Sequence, residues 1–293
     1  HLGAALIENG RFIGAKLNGV NLIAANLTGS DLQGVDISSS KLMSAILIKA
    51  KMSGADIGKS DLSFADLSQA DLSGATLRGA NLKSANLKGA LLVHADFTDA
   101  DLEGCDLSGA NLSGTTLDKI KMSDVNLQDT SLKGARLTDS DFDRSNFAGA
   151  DLSGTVMENV AMNSANLQDV NLTGAGITSS SFENSYIAGA VLKNAQISDS
   201  YMSGSDLSLT DMYGIKIEDS DLSEVSLTRA DMSESGLKNL NMSAADISGV
   251  ILCGAGLDNV IFSGSNLENA DLSYARLEDV RLDNGKLNGA DLK

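Results

Sequence analysis

An apolar residue recurs at every fifth position of this chain. From Leu2 to Leu292 the register covers 59 positions, and each holds Leu, Ile, Met or Phe. No insertion or slip breaks it. An amphipathic helix repeats at about 3.6 residues and a half-buried strand at about 2, so neither element explains a period of five. Two residues before these centres, 55 of 58 positions hold Ala, Ser, Thr, Val, Cys or Gly, with Ile120, Ile215 and Leu240 as the exceptions. One large and one small residue of every five therefore point inward, and the other three point outward. Such a chain must turn often, because a straight strand buries alternate residues. Gly is the commonest residue two places after the centre, where 22 of the 29 glycines sit, and it suits a corner of unusual dihedral angles. Stacked coils of this kind form a solenoid, each coil hydrogen-bonded to the next around one continuous column of side chains.

The residue before the centre is Asp or Asn at 29 of 59 positions. The resulting motif, as in "ADLSF", "ADLSQ", "ANLKS" and "ANLKG", resembles the pentapeptide-repeat proteins, and the resemblance covers essentially the whole chain. It implies an all-β fold, a right-handed quadrilateral parallel β-helix with four pentapeptides per coil. The handedness and the four sides come from the resemblance alone. The 293 residues then make about 14–15 coils, and at about 4.8 Å per coil the rod is roughly 70 Å long. The unbroken register is read as a single domain over 1–293. Centres Met122, Phe142, Met162, Phe182, Met202, Met242 and Phe262 fall on one side of such a coil. With nothing polar converging on them, they read as a core column of bulky, adaptable side chains.

Charge narrows the partners. The chain carries a net charge of −17. Residues 1–146 hold 14 basic and 18 acidic side chains, and residues 147–293 hold 8 and 21. Phosphate binding needs clustered Lys and Arg, so nucleic acid is not expected as a direct ligand, whereas a basic protein is. Acidic charge also keeps a solenoid soluble. No apolar run approaches the roughly 20 residues of a membrane span, and no signal peptide is visible. Cys105 takes an inward slot and Cys253 an outward one, so both are expected as free thiols. That points to a reducing compartment, hence the cytoplasm, with a secreted effector as the second reading. The chain opens at His1 and stops one residue past a centre. It therefore reads equally as a segment of a longer protein, as a unit that stacks end to end, or as one that dimerises through one end.

Catalytic chemistry is hard to find. His1 and His94 belong to no Ser-His-Asp or Cys-His set. Gly58-Lys59-Ser60 lacks the glycine that a phosphate-binding loop needs five residues earlier, where Ser53 stands. No catalytic residue, cofactor or metal is expected. Two sets of outward residues stand out. Asp99, Asp101, Asp139, Asp141, Asp199, Asp219, Asp221 and Asp279 fall along one edge and form a candidate acidic ridge, facing a basic groove or a divalent cation, or simply solvent and neighbouring lysines. Leu6, Ile13, Ile23, Met43, Ile46 and Ile48 near the start are a candidate apolar contact, as are Tyr186 and Tyr201.

The leading functional reading is a non-enzymatic structural or protein-interaction module. A second comes from the resemblance: some relatives mimic a DNA duplex and bind bacterial type II topoisomerases. A third is a spacer or targeting domain of a larger bacterial protein.

Overall fold

The computed structural model describes residues 2–293; His1 lies outside them. It is an all-β solenoid in which the backbone pairs with itself in parallel every twenty residues, four pentapeptides per coil, as the resemblance implies. The chain divides into two units, 1–150 and 151–293. In the first, Leu6 pairs with Asn26 and Asn26 with Ile46, while Asn21 pairs with Lys41 and Lys41 with Asp61. Strand β1 (Thr116–Asp118) pairs in parallel with β2 (Arg136–Thr138). The second unit carries β3 (Val156–Glu158), β4 (Gly176–Thr178), β5 (Gln196–Ser198), β6 (Lys216–Glu218), β7 (Gly236–Asn241), β8 (Gly256–Ile261) and β9 (Arg276–Glu278). They pair in chain order, all parallel, in a twenty-residue register.

Most pentapeptides are built the same way. The N–H three residues after the centre donates to the centre's carbonyl, as in Ala25 to Leu22 at 3.0 Å and Ala65 to Leu62 at 3.0 Å. The residue between them in the second turn position has positive φ at every corner from Ala4 to Gly289, while the first turn position never does. That is the pattern of a type II turn. Glycine takes this position without strain, and Asp and Asn tolerate it better than other residues. The Asp or Asn before the centre closes the other half of the corner. Its side-chain oxygen accepts the N–H two residues on, as in Ser68 to Asp66 at 2.9 Å and Ser153 to Asp151 at 2.9 Å.

Inward, the centres and small residues form the core. Phe97, Phe142, Phe147, Phe182 and Phe262 are all buried, and the Phe142 and Phe147 rings pack at 5.6 Å between centroids. The Met/Phe column is closed to solvent in both units, as a packed core requires. Most serines in the small inward slot give their hydroxyl a backbone duty, whereas the buried Ser235 hydroxyl has no partner. The N–H of Val160 donates to Ser180 Oγ, that of Ser180 to Ser200 Oγ, and that of Ser200 to Ser220 Oγ, at 3.1, 3.2 and 3.1 Å. The same hydroxyls donate to the carbonyls of Thr178, Ser198 and Glu218. These buried serines stand in for the turn bond at Val160, Ser180 and Ser200, on the face that carries β3 to β9.

Three outcomes test this account. Gly74 has φ +66°, and a Cβ there would touch nothing within 4 Å, so Gly74→Ala isolates the backbone term and should destabilise by about 1 kcal/mol. Ala244, with φ +56°, should respond with the opposite sign: Ala244→Gly stabilises by about 0.5 kcal/mol, the difference between relieved strain and lost chain entropy. Ser200→Ala leaves the buried Ser180 N–H without its acceptor and should cost about 1–3 kcal/mol. Denaturant unfolding of the three variants reads all of them.

Candidate interaction surfaces

The eight carboxylates of the acidic ridge fall into two structural slots. Asp99, Asp139, Asp199, Asp219 and Asp279 sit at the left-handed corner position, with φ between 50° and 60°. Asp101, Asp141 and Asp221 sit before a centre, accepting the N–H of Glu103 at 3.3 Å, Asp143 at 2.9 Å and Ser223 at 2.9 Å. Each therefore serves its own turn, whatever else it does. In the first unit the ridge is interrupted by base: Lys121 pairs along the backbone with both Asp101 and Asp141, and Lys119 and Lys121 line a shallow depression with Asp99 and Asp101. In the second unit, Asp199 and Asp219 are followed in the same column by Asn239, whose Nδ2 donates to Asp219 at 2.7 Å, and by Asn259, which donates to Asn239 at 3.0 Å. Among the described residues, no three His, Cys, Asp or Glu side chains gather as metal ligands would.

The apolar candidates separate by exposure. Leu6, Ile13, Met43 and Ile46 are exposed, and the column Leu6–Asn26–Ile46 places the two outer members on one face. Ile23 and Ile48 are half-buried. In the second unit Tyr186 is 47% exposed and Tyr201 55%. Leu209 at 62% and Tyr213 at 46% are also exposed. Tyr186 pairs with Asp206, Leu209 is the left-handed residue of the corner that follows, and Tyr213 lies one side further round the coil. Tyr201 stands in the Ser181–Tyr201–Asp221 column. Leu209 and Tyr213 are not in the sequence-derived set. Their signal was present, since Leu209 fills a corner slot that Gly, Asp or Asn usually holds. Phe64, the one phenylalanine off the register, and Tyr274, at another corner, are exposed for the same reason.

The fragment Gly58-Lys59-Ser60 forms an ordinary corner: Lys59 has φ +57°, and the buried Ser60 hydroxyl donates to the Ile37 carbonyl at 2.7 Å. Both cysteines are free thiols, Cys105 buried and Cys253 half-buried. The Cys105 thiol donates to the Leu82 carbonyl at 2.9 Å. Among the described residues, no helix is long and apolar enough to cross a membrane.

Two family models match this repeating architecture. One, described as a pentapeptide repeat region, covers 95–172. The other, described as pentapeptide repeats in eight copies, covers 11–42, 60–99, 220–259 and 261–293. The chain belongs to the pentapeptide-repeat family. No curated protein matches its sequence. Among solved pentapeptide-repeat structures, it is similar to HetL, involved in heterocyst differentiation regulation in the cyanobacterium Nostoc sp. strain PCC 7120, at 25% identity over 80% of this chain and 88% of that one, with a TM-score of 0.35. It is similar to full-length QnrB1, a plasmid-mediated fluoroquinolone resistance protein, at 19% identity over 62% and 93%, with a TM-score of 0.32. A pentapeptide repeat protein of the Arabidopsis thaliana thylakoid lumen is 38% identical over 32% of this chain and 63% of that one, with a TM-score of 0.25. In this pentapeptide-repeat chain, as the slots above show, the repeat itself accounts for most of the acidic residues.

Burial pushes the Cys105 thiol from 9.0 up to about 12. Since the thiolate is the reactive form, iodoacetamide at pH 8 should label Cys253 in the native protein and spare Cys105, which mass spectrometry reads directly. The folded state holds the Cys105 proton over a range where the unfolded chain has lost it. Stability from this group is therefore complete below pH 9.0 and falls as pH rises from there toward about 12.

Proposed function

We propose that the chain is a non-enzymatic protein-interaction module, and that its second unit carries the partner-facing surface. The observation behind this is the exposure of Tyr186, Leu209 and Tyr213 within two consecutive coils. All three stand where the repeat elsewhere places small or polar residues. Tyrosine offers large contact area at low side-chain entropy and is enriched at interface hot spots. The surrounding half of the chain, with 8 basic and 21 acidic side chains, suits a partner with a basic rim. Side chains on a rigid stack of coils are already ordered, so binding loses little to their immobilisation.

A second reading is the DNA mimic that binds a bacterial type II topoisomerase. The net charge of −17 supports it, because a DNA-binding groove is basic. Its weakness is local: lysines alternate with the carboxylates of the ridge in the first unit. The third reading, a spacer or targeting segment of a larger bacterial protein, gives no role to the tyrosines.

The deciding measurement is binding to purified DNA gyrase across a salt series, with DNA as competitor, beside photocrosslinking in cells from position 186. For the leading reading, crosslinking captures a defined partner. Tyr186→Ala and Tyr213→Ala then each weaken that partner's binding by about tenfold, as loss of a hot spot does, while stability stays within about 0.5 kcal/mol of the parent. Gyrase binding that collapses with salt, yields to DNA and ignores both tyrosine substitutions would move the assignment to the DNA mimic. Turnover of a substrate that is lost on a single-site change would remove both.

A further inference from the structure

The strands β3 to β9 give the second unit one face of regular parallel sheet, with a shallow depression lined by Gly176, Thr178, Gln196, Ser198, Lys216 and Glu218. Each three-residue rung turns its middle residue into the core and its first and third residues out. Two charge pairs recur across this face. Lys216 and Glu218 share one rung, and Arg276 and Glu278 share another. Among the described residues, none of these four forms an ion pair, although cross-coil pairs such as Lys193–Asp211 and Arg144–Asp124 form on other faces. First positions on the face carry base or no charge, while third positions carry acid at Glu158, Glu218, Asp258 and Glu278 and base only at Lys238.

The first positions also hold Gly176, Gly236 and Gly256. Nothing in the chain demands them. Their φ values are not positive, and a Cβ would meet open space at Gly176 and only distant contacts, 3.8 Å and 4.0 Å, at the other two. Glycine weakens a strand, and its presence there marks the close approach of something else.

We propose that this face docks on the same face of a second copy of the chain, about a two-fold axis parallel to the direction in which the coils stack. That operation sets the first position of each rung opposite the third position of the same rung in the other copy. Lys216 then meets a second Glu218, and Arg276 a second Glu278, each twice by symmetry. Gly236 receives Lys238, Gly256 receives Asp258 and Gly176 receives Thr178, so each gap faces a longer side chain. Gln196 faces Ser198. The first rung mismatches, with exposed Val156 opposite Glu158, which puts it at the margin, and Lys238 and Asp258 face glycines with no countercharge in their own rungs. Opposite charges thus meet at the Lys216 and Arg276 rungs. Docking through a second, foreign protein is not needed for this surface, and the inference does not depend on the exposed tyrosines.

Seven rungs at about 4.8 Å, each three residues wide, cover roughly 350 Å² per copy. A standard stable interface buries about 800 Å² per partner, so the association is weak and concentration-dependent.

Sedimentation equilibrium of the full chain from low to high micromolar concentration tests the proposal. The parent should show a monomer–dimer equilibrium. Lys216→Glu alone and Glu218→Lys alone should each weaken it by about tenfold or more, since like charges then face each other twice. An equimolar mixture of the two variants should associate where neither does alone, because each supplies the charge that the other lacks. Gly236→Val should abolish the dimer without lowering the melting temperature, which separates blocked docking from misfolding. A parent chain that stays monomeric at the highest concentration overturns the proposal. So does a dimer that the charge variants leave unchanged, as end-to-end stacking or another surface would give, or a mixture that fails to associate.

Discussion

One backbone constraint governs the rest: every corner of the coil needs a residue in the left-handed region. A type II turn with positive φ only at its second position redirects the chain by a quarter of a coil while leaving the centre's side chain pointing inward. Repeating that turn at every fifth residue sets the twenty-residue coil, the parallel pairing and the alternation of a large and a small residue in the core. The strain is distributed. Glycine removes it at 22 corners. Asp or Asn reduces it at others, such as Asn159, Asn184 and Asp169. Residues with no such adaptation, such as Leu209 and Tyr274, hold the same φ at 58° and are carried by the coils around them.

The corner also explains why the outside is difficult to read. A carboxylate in this chain has two local uses before any partner is considered, as a corner residue tolerant of positive φ and as an acceptor for the N–H two places on. Hydrogen bonds from Ser273, first from its hydroxyl and then from its backbone N–H, hold the Asp271 carboxyl below the usual carboxylate range. This is a folding role visible in the acid's own titration. Burial matters less than geometry here, because these groups remain near solvent.

Much of the fold was legible because the period is blunt. The centres, the small inward residues and the glycine corners follow from spacing and volume alone, and the Met/Phe column from the four-sided coil that the family resemblance implies. The left-handed conformation of corners such as Lys59, Ser84 and Arg144 was not visible, since nothing in those side chains announces it. The serine hydroxyls that replace turn bonds at Ser180, Ser200 and Ser220 also escaped, because Ser and Ala look alike as small inward residues. On the surface, Tyr186 and Tyr201 stood out by replacing Asp or Asn. Tyr213 did not, because the slot directly after a centre accepts almost any residue, whereas Leu209 was legible as a departure from the Gly, Asp or Asn usual at a corner. Ile23 and Ile48 were counted as exposed, but neighbouring coils cover half of each.

The interchangeable turn has one more consequence. Each centre in the second unit is an apolar residue, so a pentapeptide from one side of the coil supplies the same kind of inward residue as one from the next. Duplicating a single pentapeptide between β5 and β6 would leave every inward slot filled. It would turn all outward columns downstream of it by a quarter of a revolution relative to those upstream. Tyr186 would keep its place while Leu209 moved to another side, or both would stay together, depending only on where the five residues entered. In such a molecule, surface patterns are assembled in indexed steps, like the wheels of a combination lock, and a new arrangement of existing residues needs no new fold and no new side chain.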